Sequence, residues 1–415
     1  MGKKKANGEG SISKRKDGRY MGRYTVNGKR KAVYGATHEE VRQKLSEKLN
    51  QIAKGIYIAP RKDTVASWLR EWLVTYAFHS VSQPTYISYE GYVRNHLIPE
   101  LGDVKLTALT LEQLQRFFNK KHAGTKEKKK LDPKTLKNIY NMLNEAFEQA
   151  IINERLYRNP LHGVKLPQKK KEEITILEPE EQTALQSAAE DSPEIQAFGI
   201  IFTLSTGVRL GELIGLRWSD LNYRNHTVRI ARTVGRLQKV DEDGNVVQKA
   251  EGVKTTEIVV RSPKSDSSRR TIPLFDELWN GLMAYQKKQQ ELMDAFGTDY
   301  DDQGYIFCNS MGNVYDPRVY QDLFKRTLKA ADLKKINFHA LRHTFATRAL
   351  EAGMDVKVLS SILGHAQAST TLNMYGHALP NHKKASMDKM SGYYTASFDT
   401  NGSTDTASER NRIAV

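Results

Sequence analysis

Apolar residues recur along this chain with two periods, and the period changes where elements should change. Between Asp17-Gly18 and Asn27-Gly28, Tyr20, Tyr24 and Val26 alternate with Arg19, Met21, Arg23 and Thr25. A period of two predicts strands with one packed and one basic face, and each Asx-Gly pair predicts a tight turn. From Thr37 the pattern turns helical. Thr37 is placed as N-cap, Glu40 follows three residues later, and Gly55 closes the run. Residues 1–60 thus read as a three-stranded sheet plus one helix. Residues 64–158 read as all-helical: Trp68, Leu69, Trp72, Leu73 and Tyr76 share one helical face, and Leu136, Ile139, Tyr140, Leu143, Phe147 and Ile151 share another. The stretch "RNPLHGVKLPQKKKEE", with Pro160, Pro167 and a lysine run, reads as a linker.

The second half mixes periods. "SPEIQAFGIIFTLSTGVRLGELIGLRWSDLN" predicts a long apolar helix, a Thr-Gly turn, and a second helix starting near Arg209. "TTEIVVRSPKSDSSRRTIPL" predicts two strands around a Ser/Asp turn, "GYIFCNS" a strand-like apolar run, and the pattern from Phe338 on is helical. Met387, Met390 and Tyr394 stand at helical spacing, an apolar stripe on a polar helix. From about Thr395 the chain is rich in Ser, Thr, Asn and Gly and is expected to be disordered. No internal repeat is visible. The fold class expected is multidomain and mainly α with small β-sheets. Its parts are a sheet-and-helix domain over 1–60, a helical domain over 64–167, a mixed α/β domain over 174–395, and a tail over 396–415.

Charge adds a partner to this outline. The 415 residues carry a formal net charge of +16, and residues 1–60 hold 15 Lys or Arg against 5 Asp or Glu, so +10 lies at one end. A concentrated surplus points to a polyanion, most often nucleic acid. A basic three-stranded sheet can enter a major groove, and Arg19, Arg23, Lys29, Arg30 and Lys31 are the residues expected to touch DNA. Apolar residues make up 39% of the chain, enough for cores, and no apolar run approaches membrane-spanning length. The start, MGKKKANGEG, lacks the apolar region of a secretory signal, and Ala6 misses the myristoylation pattern. The single cysteine, Cys308, excludes an internal disulfide and a thiolate metal cluster. A cytoplasmic location is expected.

Several cationic and imidazole groups stand in quotable contexts. Arg209 lies in "TGVRLGE", Lys264 in "SPKSDSSRRTIPL", and His339 and Arg342 in "HALRH", three apart and so on one helical face. His365 follows Gly364, and Tyr375 comes ten residues later, before His377, in "LGHAQASTTLNMYGH". Each has a plain structural reading when taken alone. Arg209 can pair with Glu212, Lys264 can be a turn lysine, His365 can cap a helix, and Tyr375 can pack in a core. His339 and His343 have metal-pair spacing, but the zinc-protease pattern needs Glu where Ala340 stands.

Taken in order and spacing, "TGVRLGE", "SPKSDSSRRTIPL", "HALRHTFAT" and "LGHAQASTTLNMYGH" resemble the tyrosine recombinases, the phage-integrase family. The resemblance covers about residues 64–395. With the basic N-terminal sheet, the chain is most similar to the integrases of conjugative transposons. The resemblance implies that Tyr375 attacks a scissile phosphate to give a 3′-phosphotyrosine and a free 5′-hydroxyl. Arg209 and Arg342 would grip the non-bridging oxygens, His365 would add a donor, Lys264 would protonate the leaving oxygen, His339 would take the tyrosine proton, and Glu212 would orient the site. Bidentate forks suit phosphate in a way that lysine cannot reproduce, and a phenol of pKa about 10 needs such help to attack. The bond energy is kept in the covalent link, so no ATP, metal or other cofactor is expected.

The expected partners are double-stranded DNA, at core sites and at outlying arm sites, and three further copies of the chain in a tetramer on DNA. Accessory DNA-bending or excision proteins are further partners compatible with the resemblance. The C-terminal stripe must bury itself either on its own domain or on a neighbour, and the resemblance favours passing it to the adjacent protomer. Two rival readings remain at this point: a type IB topoisomerase, which would relax supercoils without specific sites, and an idle DNA-binding regulator that keeps the fold only.

Overall fold

The computed structural model describes residues 10–26, 28–53, 62–124, 129–168, 174–263, 268–375 and 387, with the backbone alone for 373–375. The chain forms two compact units, Met1–Lys171 with Gln238–Thr255, and Glu172–Leu237 with Thr256–Val415.

In the first unit, β1 (Ser11–Lys14), β2 (Tyr20–Val26) and β3 (Lys29–Gly35) form an antiparallel sheet in that order. Helix α1 (His38–Ala53) covers one face of it, and a Cβ on Gly22 would lie 2.9 Å from Val41 Cγ1. Register pairs Arg23 with Ala32 and Thr25 with Arg30, but Tyr24 with Lys31 and Val26 with Lys29. Directly paired residues share a face. Arg23 and Arg30 therefore belong to the face away from the helix, whereas Lys29 and Lys31 lie on the face of buried Tyr24. Arg19 sits in the β1–β2 turn beside Asp17. The helix start departs slightly from expectation: Glu40 N–H donates to Thr37 Oγ1, but the Glu40 carboxylate accepts from Ala36, one residue further back.

The helical part follows the expected stripes. Helix α2 (Val65–Trp72) opens on a reciprocal Thr64–Ser67 cap and runs on through the wide turn Leu73–Ala77. Fully buried Trp68 donates its indole N–H to the Ala146 carbonyl at 3.0 Å, inside α4 (Pro133–Ile152). Helix α3 (Leu111–Ala123) adds Leu114, Phe117 and Phe118 to the core. Leu136, Ile139, Leu143 and Phe147 are buried in it, with Tyr140 and Ile151 at its margin. One contribution has no counterpart in the pattern reading. Gln238–Thr255 belongs to this unit, its Val246 is in the core, and the Tyr86 hydroxyl donates to the Gly244 carbonyl at 2.5 Å.

The second unit is built on α5 (Phe198–Thr206), which is buried on nearly every side. It ends at Gly207, in the left-handed region at φ 66°, and α6 (Leu210–Ile214) starts from Arg209 as its cap. This is the expected helix, turn and helix. The strands are arranged differently from the simplest reading. β4 (Leu221–Asn222), β5 (Thr227–Ile230) and β8 (Arg270–Pro273) form one sheet, and β6 (Thr233–Gln238) pairs with β7 (Thr256–Arg261) in another. β7 and β8 thus flank the Ser/Asp segment without pairing to each other. Burial accounts for this: Ile272 of β8 joins Val228 and Ile230 of β5 in the core, next to α7 (Asp276–Phe296), while Val260 of β7 is exposed. Tyr305 to Cys308 are buried but form only isolated bridges, Arg217 to Tyr305 and Cys308 to Val314, rather than a strand. The Cys308 thiol is packed, as expected, against Tyr300 and Gln289.

Helices α8 (Pro317–Ala330), α9 (His339–Glu351), α10 (Val356–Leu363) and α11 (Ala368–Tyr375) complete the described part. Of the C-terminal stripe, Met387 is exposed. Met390, Tyr394 and the tail lie outside the described residues, as do Lys264 and His377.

A Cβ on Gly207 would meet Phe345 Cδ1 at 2.5 Å and Leu363 Cδ2 at 2.9 Å, whereas one on Gly304, also at positive φ, meets nothing within 4 Å. Gly304→Ala should cost only the backbone term, about 1 kcal/mol. Gly207→Ala should add an overpacking cost of about 1–3 kcal/mol. Urea unfolding of the two variants checks this, and equal midpoints would show that the Gly207 turn has room to give.

Candidate active site

Of the groups singled out in the second half, Arg209, Arg342 and His365 converge on two glycine turns. Arg342 sits on the inner face of α9 and is 1% exposed. A guanidinium can only donate, and this one donates to the Gly207 carbonyl at 2.8 Å, to the Leu363 carbonyl at 2.7 Å and to His365 Nε2 at 2.9 Å. Gly207 ends α5 just before Arg209. Gly364, left-handed at φ 67°, ends α10 just before His365. The buried cation therefore draws together the two turns that carry Arg209 and His365.

Arg209 is partly open to solvent, and its guanidinium donates to Glu212 Oε1 at 2.7 Å while its backbone N–H donates to Glu212 Oε2 at 3.0 Å. The plain pairing considered from sequence is therefore present, but Glu212 is shared. Arg270, buried on the inward face of β8, donates to Glu212 Oε2 at 2.9 Å and Oε1 at 3.2 Å, to the Ser268 carbonyl, and to the Ile362 carbonyl. Burial pushes the Glu212 carboxyl up, but Arg270 and then Arg209 outweigh that and hold it below the usual range. Arg270 was not singled out in the sequence. A signal was present: it stands two residues before Ile272, on the inward parity of a strand, where a charge demands a partner.

His339 lies three residues before Arg342 on the same helix, and its ring meets that of His343 edge-on at 4.7 Å. Burial lowers its pKa, helped by Arg342 and Arg209. His343 is pushed down to about 4 by burial, with His339 and Arg342 adding to it. His365 is likewise pushed to about 4 by burial and then by Arg342, Arg209 and Arg270. All three rings are neutral at pH 7. Nδ1 of His365 lies 2.8 Å from the hydroxyl of Thr371, a fully buried residue on α11. Tyr375 is the last residue of α11, four positions beyond Thr371. Among the described residues no three His, Cys, Asp or Glu side chains group as metal ligands, and no helix is long and apolar enough to cross a membrane. Arg209, Glu212, Arg270, His339, Arg342 and His365 thus form one cationic cluster with neutral imidazoles beside it. Such a cluster suits a small anion whose charge is spread over several oxygens.

Comparison with known proteins identifies the family. The profile of the phage integrase family matches residues 175–382, and that of the phage integrase N-terminal SAM-like domain matches residues 64–122. A "Tyrosine recombinase XerC-like" protein of Caldanaerobacter subterraneus subsp. tengcongensis is 31% identical over 397 residues, covering 91% of this chain and 98% of its own. "Transposase from transposon Tn916" of Enterococcus faecalis is 26% identical, covering 94% of this chain and 97% of its own. Among solved structures, the Tn1549 transposon integrase in complex with transposon right end DNA superposes with a TM-score of 0.61 at 25% identity, over 79% of this chain and all of that one. A lambda integrase tetramer bound to a Holliday junction shares the fold, with a TM-score of 0.54 at 19% identity over 87% of this chain and 94% of that one. The mainly α fold with its small sheets, the cationic cluster and these likenesses lead to one conclusion: the chain belongs to the phage integrase family of tyrosine recombinases.

Proposed function

We propose that this chain is a site-specific DNA recombinase of the conjugative-transposon type, which integrates and excises a mobile element by cutting and rejoining DNA through Tyr375. The observation that carries this reading is the set of three arginines held by Glu212 and His365, which leaves an excess of positive charge next to the helix ending at residue 375. In the cleavage step the Tyr375 oxygen bonds to phosphorus and the bond from phosphorus to the 5′-oxygen breaks. His339, neutral and therefore able to accept, takes the phenol proton, and Lys264 gives one to the leaving oxygen. Arg209 and Arg342 neutralise the non-bridging oxygens as charge builds on them. Rejoining runs the same steps in reverse with a different 5′-hydroxyl, so the site spends no ATP. Arg209 is the more open of the two arginines and needs little rearrangement to meet phosphate. Arg342 must exchange its contact with His365 for one with an oxygen.

The partner is double-stranded DNA, read at core sites by the units above and at outlying arm sites by the N-terminal sheet, with four protomers in the synaptic assembly. The face of Arg23 and Arg30 is the one that meets the groove.

Tyr375→Phe should bind a core-site duplex with nearly unchanged affinity and form no SDS-stable adduct on a nicked suicide substrate. An adduct that persists would remove Tyr375 from the reaction. Arg23→Ala with Arg30→Ala should weaken arm-site binding and reduce the salt slope by about 2, while Lys29→Ala with Lys31→Ala changes it less. The reverse ranking, measured by binding at several salt concentrations, would turn the sheet over.

The lowered histidine pKa values set a pH window. Below about 6.5 the unfolded chain takes up protons that His339, His343 and His365 refuse in the fold. Stability is therefore fully present above pH 6.5 and is lost as pH falls toward about 4. Glu212 adds its own loss only below the usual carboxylate range. Urea midpoints should fall from pH 7 to pH 5, and His343→Gln with His365→Gln should flatten that fall. An unchanged slope in the double variant would place the proton uptake elsewhere.

A further inference from the structure

We propose that the Thr371 hydroxyl is a positioning group that lets His365 exchange tautomers, so that its ring accepts from Arg342 in the free enzyme and donates to the phosphate in the complex. This inference rests on the reading that the site binds a phosphodiester.

The free state is fixed by donor arithmetic. Arg342 has no acceptor to offer, so the 2.9 Å contact with His365 Nε2 requires a lone pair on Nε2. A ring with a bare Nε2 carries its proton on Nδ1, and Nδ1 lies 2.8 Å from Thr371 Oγ1. At rest, then, His365 has no proton on the nitrogen that faces Arg342. That is the wrong state for a phosphate contact. Once Arg342 turns its N–H to a phosphate oxygen, a bare Nε2 would face that oxygen acceptor to acceptor.

Two changes could resolve the conflict. The ring could gain a second proton, but burial and three surrounding arginines oppose this and hold its pKa near 4. Alternatively the ring could stay neutral and move its proton to Nε2. The second route needs a partner at Nδ1 that accepts in one state and donates in the other. A carbonyl or a backbone N–H does only one of these; a hydroxyl does both by rotating its hydrogen. The proton count balances: one proton leaves Nδ1, one reaches Nε2 by way of solvent, and the ring remains neutral throughout. Thr371 is fully buried, its branched Cβ limits χ1, and it stands one turn before residue 375 in α11. The same hydroxyl thus fixes the imidazole and ties it to the helix that ends at the nucleophile.

The test uses the full chain with 15N-labelled histidine, His365 being assigned by its loss in His365→Gln. Imidazole nitrogen shifts should report Nδ1–H in the free protein. In Tyr375→Phe bound to an uncleaved duplex from the element's end, they should report Nε2–H. Thr371→Val should keep DNA affinity and slow adduct formation on the order of tenfold to hundredfold, while Thr371→Ser, which keeps the hydroxyl, should stay within about threefold of the parent. An unchanged tautomer on DNA binding, a Thr371→Val protein that cuts at the parental rate, or a Thr371→Ser protein as slow as Thr371→Val would each overturn the proposal, the last by making Thr371 a packing residue. Adduct formation by the parent chain is scored separately, so failure of the recombinase reading would be recognised by itself.

Discussion

A buried guanidinium must hand its protons to something, and Arg342 leans on the backbone. Its acceptors include carbonyls at two helix ends and one imidazole nitrogen. Taking such a cation out of water costs several kcal/mol unless dipoles replace the lost hydration. The carbonyls at the ends of α5 and α10 do so, since each lies at the negative end of its helix. The distance between the Gly207 and Gly364 turns is therefore set by the span of one planar group. Arg209 and His365, each within two residues of a turn, inherit their separation from it.

The second constraint is charge. Among the described residues, Arg209, Arg270 and Arg342 are set against one buried carboxylate, that of Glu212, with the nearby histidines neutral. These described groups are therefore short of negative charge by two. In a partly dry setting that deficit is felt strongly, and it adds to burial in keeping protons off the imidazoles. An arrangement of this kind lowers the stability of the empty enzyme and is relieved by an anion. It is a form of preorganisation in which the fold holds the repulsion in advance.

Much of this was legible beforehand, for identifiable reasons. The helical stripe through Trp68 and Leu69, and that through Leu136 to Phe147, are long enough for period to decide between helix and strand. The Thr206-Gly207 turn was marked by the glycine. Arg209, His339, Arg342 and His365 came from motif resemblance, and the structure brings them together. Arg270 and Thr371 were not recognised, because their importance lies in what they face across the fold, and Glu212 and His365 are distant from them along the chain or around a turn. The separation of β7 from β8 was missed for a related reason: adjacency in sequence favours a hairpin, while burial of Ile272 against Val228 and Ile230 decides otherwise. In the N-terminal sheet, composition marked five basic residues alike, and only the register divides Arg23 and Arg30 from Lys29 and Lys31.

The first unit is discontinuous, and this bears on the order in which the chain can fold during synthesis. Its core contains Val246, and Tyr86 finds its acceptor 158 residues later at Gly244. A nascent chain that has just released the 64–168 segment has most of a helical domain but not its last apolar side chain, and Tyr86 must meanwhile be hydrated. Closure waits until the ribosome has delivered α5, α6 and the first strands of the other unit. Folding of the two units is thereby interleaved in time, and the helical unit cannot be finished before the turn bearing Arg209 has emerged.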